Sequence, residues 1–143
     1  MANRNFNRLQ ALDKKIKILF GQASIGASGA ATLNESRSAG IKSISRTAAG
    51  EYDITLGIPG GASDTYGALL FFDGVLLDAA AVAANGGLGF QIEAETVSSD
   101  GVVKVFALNS SGAITEIRNG DVLKFVIVVK NSNISAAGVG TIS

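Results

Sequence analysis

Ile41–Leu56, IKSISRTAAGEYDITL, decides the fold class. Tyr52, Ile54 and Leu56 alternate with Glu51, Asp53 and Thr55, the two-residue period of a strand with one buried face. Ile41–Thr47 precedes them across Ala48-Ala49-Gly50, a short loop ending in glycine that predicts a hairpin with Gly50 in a left-handed conformation. Working outward, the same pattern recurs. Phe90–Val97 sets Phe90, Ile92 and Ala94 on one face and Gln91, Glu93 and Glu95 on the other. Ser98-Ser99-Asp100-Gly101 then turns it into Val102–Leu108, a second hairpin. Val122–Lys130 (VLKFVIVVK) is the strongest β-former in the chain and belongs in the middle of a sheet. Ala68–Phe72 is continuously apolar and ends at Asp73-Gly74, a turn signal, before Val75–Leu77. A run apolar on both faces belongs to a strand covered on both sides, by a second sheet or by a neighbouring subunit. These segments predict an all-β antiparallel sandwich or jelly roll whose body spans 41–131, with a short strand at Ala23–Ala27 in the arm that precedes it.

The N-terminus reads differently. In Arg4–Phe20, RNFNRLQALDKKIKILF, Leu9, Leu12, Ile16 and Leu19 follow a 3-4-3 spacing that forms one stripe on a helix, and Gly21 supplies a stop. An isolated helix of this length is marginal in water, so its stripe must be covered. Residues 1–21 are therefore expected to be an oligomerisation or docking arm, with that stripe as the interface. Residues 22–40 follow as an extended Gly/Ala-rich linker and 132–143 as an extended tail. Asn109–Gly120 is a long polar loop, tacked down by Ile114 and Ile117.

Composition narrows the function classes. The 143-residue chain is 47% apolar and only 17% charged, too apolar for disorder and poor in charge for a fully solvated surface. Net charge is zero but unevenly spread: Arg4, Arg8, Lys14, Lys15 and Lys17 face only Asp13 within residues 1–20, which leaves an acidic excess in the rest. Such an arm can bind nucleic acid, anionic lipid or an acidic protein surface, or be a solvated helix face; without interleaved aromatics it is a weak nucleic-acid signal. With no cysteine and no histidine there is no disulfide and no zinc site of the usual kind. The N-terminus lacks the apolar core of a secretory signal, and no apolar stretch is long and unbroken enough to predict a membrane span.

Catalytic chemistry is thin. Without His or Cys a nucleophilic triad would need a Ser–Lys pair, and the chain has no Ser-x-x-Lys. Glu93 and Glu95, expected on one strand face, are the only carboxylate pair positioned for acid/base work. Gly57–Gly61 and Gly86–Gly89 lack the lysine and helix of a phosphate-binding loop. Asp64, Asp73, Asp78 and Asp100 sit at predicted turns, where bonding to local backbone explains them as well as calcium would. No catalytic site, metal or cofactor is expected.

The run from Arg4 to Leu56 resembles a group of small structural proteins of tailed bacteriophages. Those chains open with a short heptad-like helix, pass through an arm of the form IGASGAATL and reach GI-SI-R-AAG-Y-ITL. The matching residues here are Ile25–Leu33, Gly40, Ile41, Ile44, Arg46, Gly50, Tyr52 and Ile54–Leu56. The resemblance implies a non-enzymatic virion component: a capsid decoration (cement) or head-fibre protein, usually trimeric, with a sandwich or jelly-roll body. It would bind the major capsid protein on the head surface after assembly in the host cytoplasm. It carries no motif that defines a binding site. A receptor- or glycan-binding fibre tip is the alternative.

Overall fold

The computed structural model describes residues 15–78 and 87–131. Among these, eight strands form two antiparallel four-stranded sheets: β1 (Ile16–Ile25), β2 (Ala31–Leu33), β3 (Ile41–Ala48), β4 (Glu51–Leu56), β5 (Ala68–Leu77), β6 (Gly89–Glu95), β7 (Val102–Leu108) and β8 (Val122–Lys130). Sheet A has the order β2-β1-β8-β5, and sheet B the order β3-β4-β7-β6. The sheets stack sandwich-like on one core, to which sheet A gives Leu19, Leu123, Ile127 and Val129 and sheet B gives Tyr52, Ile54, Val103 and Val105.

Both predicted hairpins are present. β3 pairs with β4 through Ile44↔Ile54, and Gly50 has φ +73°, the left-handed value its loop requires. β6 pairs with β7, and β8 lies at the centre of sheet A between β1 and β5, as its composition predicts. Ile117 is buried and anchors the 109–120 loop, whereas Ile114 is exposed.

The expected N-terminal helix is corrected from Ile16 onward. Ile16–Phe20 opens β1, a ten-residue strand running antiparallel along β8 from Ile16↔Lys130 to Ser24↔Val122. In a strand, positions three apart point to opposite faces, so the stripe splits: Leu19 is 1% exposed in the core and Ile16 is 42% exposed outside. Leu9 and Leu12 lie outside the described residues. The physical reason is tertiary. Pairing with β8 satisfies the backbone of a β-branched segment (IKILF) that a marginal helix would leave partly uncovered.

The expected linker at 22–40 is likewise part of the body. It supplies the rest of β1, then β2 paired through Ala23↔Leu33, with two short 3-10 turns at Ala27–Gly29 and Glu35–Arg37. Asp73-Gly74 is not a turn either, since β5 runs through it in register with Val126 and Phe125.

Gly21 and Gly74 have another task. Both are register partners of Phe125, one on each flanking strand. A Cβ on Gly21 would run into the ring of Phe125, and one on Gly74 would lie 3.2 Å from Phe90 and 3.3 Å from Phe72. The two glycines open the space in which these rings pack, with Phe72 stacked on Phe125 at a centroid distance of 6.4 Å.

Candidate interaction surface

Strand alternation gives each sheet an inner and an outer face, and the two outer faces differ in kind. On sheet B the outward positions are mostly polar: Ser43, Ser45, Asp53, Thr55, Gln91 and Lys104, with Lys104 Nζ 3.9 Å from Asp53 Oδ1. On sheet A they are mostly apolar. The register aligns Ile18, Val128 and Phe71 in one row across β1, β8 and β5, and Phe20, Val126 and Asp73 in the next. Gln22, Lys124 and Val75 form a third row, and Ser24, Val122 and Leu77 a fourth. A bulge between Leu69 and Phe71 turns Leu70 outward beside them. Near the middle lies a shallow open hollow of about 360 Å³, edged by Phe20, Val75 and Val126 together with Arg37, Asp73 and Lys124.

This surface is not the one expected from the sequence. Of the predicted stripe, Ile16 reaches the outer face, and Leu19 is sealed inside the chain's own core, where it cannot dock on anything. Of the predicted basic arm, Arg4, Arg8 and Lys14 lie outside the described residues. Lys15 is exposed in a turn. Lys17 folds onto Tyr66, its Nζ 3.3 Å from the phenol oxygen and 5.4 Å from the ring centroid. The signal that could have found the face was the two-sided apolar character of IKILF and LLFF.

The carboxylate pair does not assemble as predicted. A bulge between Ile92 and Ala94 sets Ala94 opposite Lys104 and Glu95 opposite Val103, so the expected alternation breaks at Glu93. The Glu95 carboxylate accepts a hydrogen bond from the Val97 amide at 2.8 Å. Among the described residues no group of three or more acidic side chains is placed to hold a metal ion, and no helix is long and apolar enough to cross a membrane.

The most developed polar cluster is one that sequence reasoning missed. Arg46 on β3 forks the Glu116 carboxylate: its Nε donates to Oε1 and Oε2 at 3.1 and 3.0 Å, and its terminal nitrogen also donates to Oε2. The Gly50 amide donates to the same carboxylate at 3.3 Å, and the Tyr52 hydroxyl donates to the Gly29 carbonyl at 2.9 Å. The cluster clasps four chain segments at one end of the sandwich, which accounts for it without catalysis. Hydrogen bonding to Arg46 holds the Glu116 carboxyl below the ordinary carboxylate range and raises the Arg46 guanidinium, while burial pushes the Tyr52 phenol well above its usual value.

The clasp makes stability depend on pH with a definite sign. Because its folded pKa is lowered, Glu116 contributes stability that is present above the ordinary carboxylate pKa and lost as pH falls through the folded value. Glu116→Gln should therefore lose less thermal stability than the wild type between about pH 6 and about pH 3, measured by circular dichroism melts. The difference should be small, because about a third of each partner's side chain is open to water. Equal losses in the two proteins would refute it.

No family model matches the chain, and neither the curated proteins nor the solved structures give a match.

Proposed function

We propose that this chain is a structural virion protein that decorates and reinforces a bacteriophage head by binding the major capsid protein lattice as a homotrimer. The observation that carries the reading is the outer face of sheet A, where half-exposed Ile, Leu, Val and Phe side chains stand in register over three strands. A small chain with such a face, little charge and no assembled catalytic cluster among its described residues suits a part made to be covered. The sequence resemblance to tailed-phage structural proteins supplies the setting, the capsid surface. The body is read within this proposal as a jelly roll, a reading supported by eight strands in two four-stranded sheets with the first and last of those strands side by side.

The test is to add the purified protein to heads assembled without it. Saturable binding at a fixed copy number, together with a higher temperature of DNA release, is expected. Heads that bind none of it, or that are equally robust without it, would end the proposal. The hollow beside Arg37, Asp73 and Lys124 favours a second reading, a receptor- or glycan-binding fibre tip, because it sets polar groups around an apolar floor. A glycan array with specific hits that are lost in Lys124→Ala would support it over the first.

A further inference from the structure

We infer that the outer face of sheet A is where this chain packs against a second copy of itself. Six side chains carry the face: Ile18, Phe20, Leu70, Phe71, Val75 and Leu77, each between 49% and 63% exposed. The two phenylalanines carry about 150–250 Å² each and the four aliphatic side chains less, so that, half exposed, the six leave on the order of 600 Å² of apolar surface open. That is the upper end of the range for the largest patch on a monomer, about 300–600 Å². Interfaces are roughly 60% apolar, so the patch corresponds to a footprint of about 1,000 Å², enough for the roughly 800 Å² per partner of a stable complex.

Charge points to the same occupant. Asp73 and Lys124 sit in adjacent rows on adjacent strands near the middle of the face, beside the hollow. A surface of one sign calls for a partner of the other. A face with both signs close together can meet further copies of itself about a rotation axis, the Lys124 of one copy reaching the Asp73 of the next. The polar outer face of sheet B offers no comparable area. A second copy as occupant rests on reading this face as an interface but needs no capsid, so failure to bind heads and failure to self-associate are separate results.

The test uses the full-length chain. Light scattering after size exclusion should give a multiple of the 14.5 kDa protomer mass at micromolar concentration. Ile18→Asp and, independently, Leu77→Lys should weaken association on the order of 100-fold while leaving the circular dichroism spectrum unchanged. Since the chain has no cysteine, Val75→Cys provides a single thiol on this face and Ser45→Cys a control on sheet B. Maleimide labelling of the first should slow as protein concentration rises, and labelling of the second should not; this readout holds even if a charged variant fails to fold. A monomeric full-length protein overturns the inference. So does an oligomer that protects the thiol of the sheet B variant rather than that of the sheet A variant. A third overturning result is an oligomer lost on deleting residues 2–14 while the sheet A thiol labels equally at every concentration. Those last two outcomes assign the contact to sheet B or to the N-terminal segment.

Discussion

Phe125→Ala should lower the unfolding free energy by about 3–5 kcal/mol and the melting temperature by about 10–20 °C. Phe125 is 5% exposed, at the middle of the central strand of sheet A, and stacks on Phe72. Truncation removes the transfer free energy of the ring and leaves a cavity that cannot collapse, because the glycines on both sides have no side chains to fill it. The companion experiment isolates that cause. Gly21→Ala alone drives a Cβ into the ring and should cost about 1–3 kcal/mol by overpacking. In the Phe125→Ala background the added methyl has space, so its cost should fall to near zero or reverse. Urea unfolding of the four proteins measures the cycle. Additive costs would show that Gly21 is not there to admit the ring.

Gly29→Ala should be the second large effect, about 2–4 kcal/mol of destabilisation, from two sources. Gly29 has φ +71°, where any residue with a Cβ is strained. Its missing Cβ is also the space occupied by the Glu116 carboxylate, so a methyl group there must expel the anion that Arg46 and Gly50 hold. Part of the cost is thus the clasp itself. It should shrink in a Glu116→Ala background, leaving about 1–2 kcal/mol of backbone strain. An unchanged cost in that background, read from thermal melts of the double-mutant cycle, would show that the clash with Glu116 plays no part.

Much of the fold was legible because period-two alternation is written locally. Tyr52, Ile54 and Leu56 need only their immediate neighbours to be read as one strand face, and Gly50 announces its own turn. The misreadings share one cause. Gly21 and Gly74 read as punctuation because a glycine in a single chain segment normally marks a stop or a turn. Here Gly21 is small because of the Phe125 ring and Gly74 because of the rings of Phe72 and the distant Phe90, and nothing in either glycine's own segment reports a ring brought in from another strand.

The candidate surface divides in the same way. That Ala68–Phe72 is apolar on both faces was readable from its unbroken run of apolar residues, and so was the low share of charged residues. That IKILF joins it was not, because Ile16 and Leu19 fit a helical stripe as well as they fit a strand split between two faces. The Arg46–Glu116 clasp was invisible for a plainer reason: its members are 70 residues apart and each is an ordinary surface residue in its own segment.

By itself the sequence determined the strand alternation, the two hairpins, the central place of Val122–Lys130, and the absence of thiol and imidazole chemistry. Only the tertiary structure decided which face of the strands apolar on both sides points inward, that the N-terminal stretch joins sheet A from Ile16 onward, and which apolar side chains are left outside. The physical reason is that alternation is a property of consecutive residues. Burial depends on which distant strand supplies the hydrogen bonds and the opposing wall.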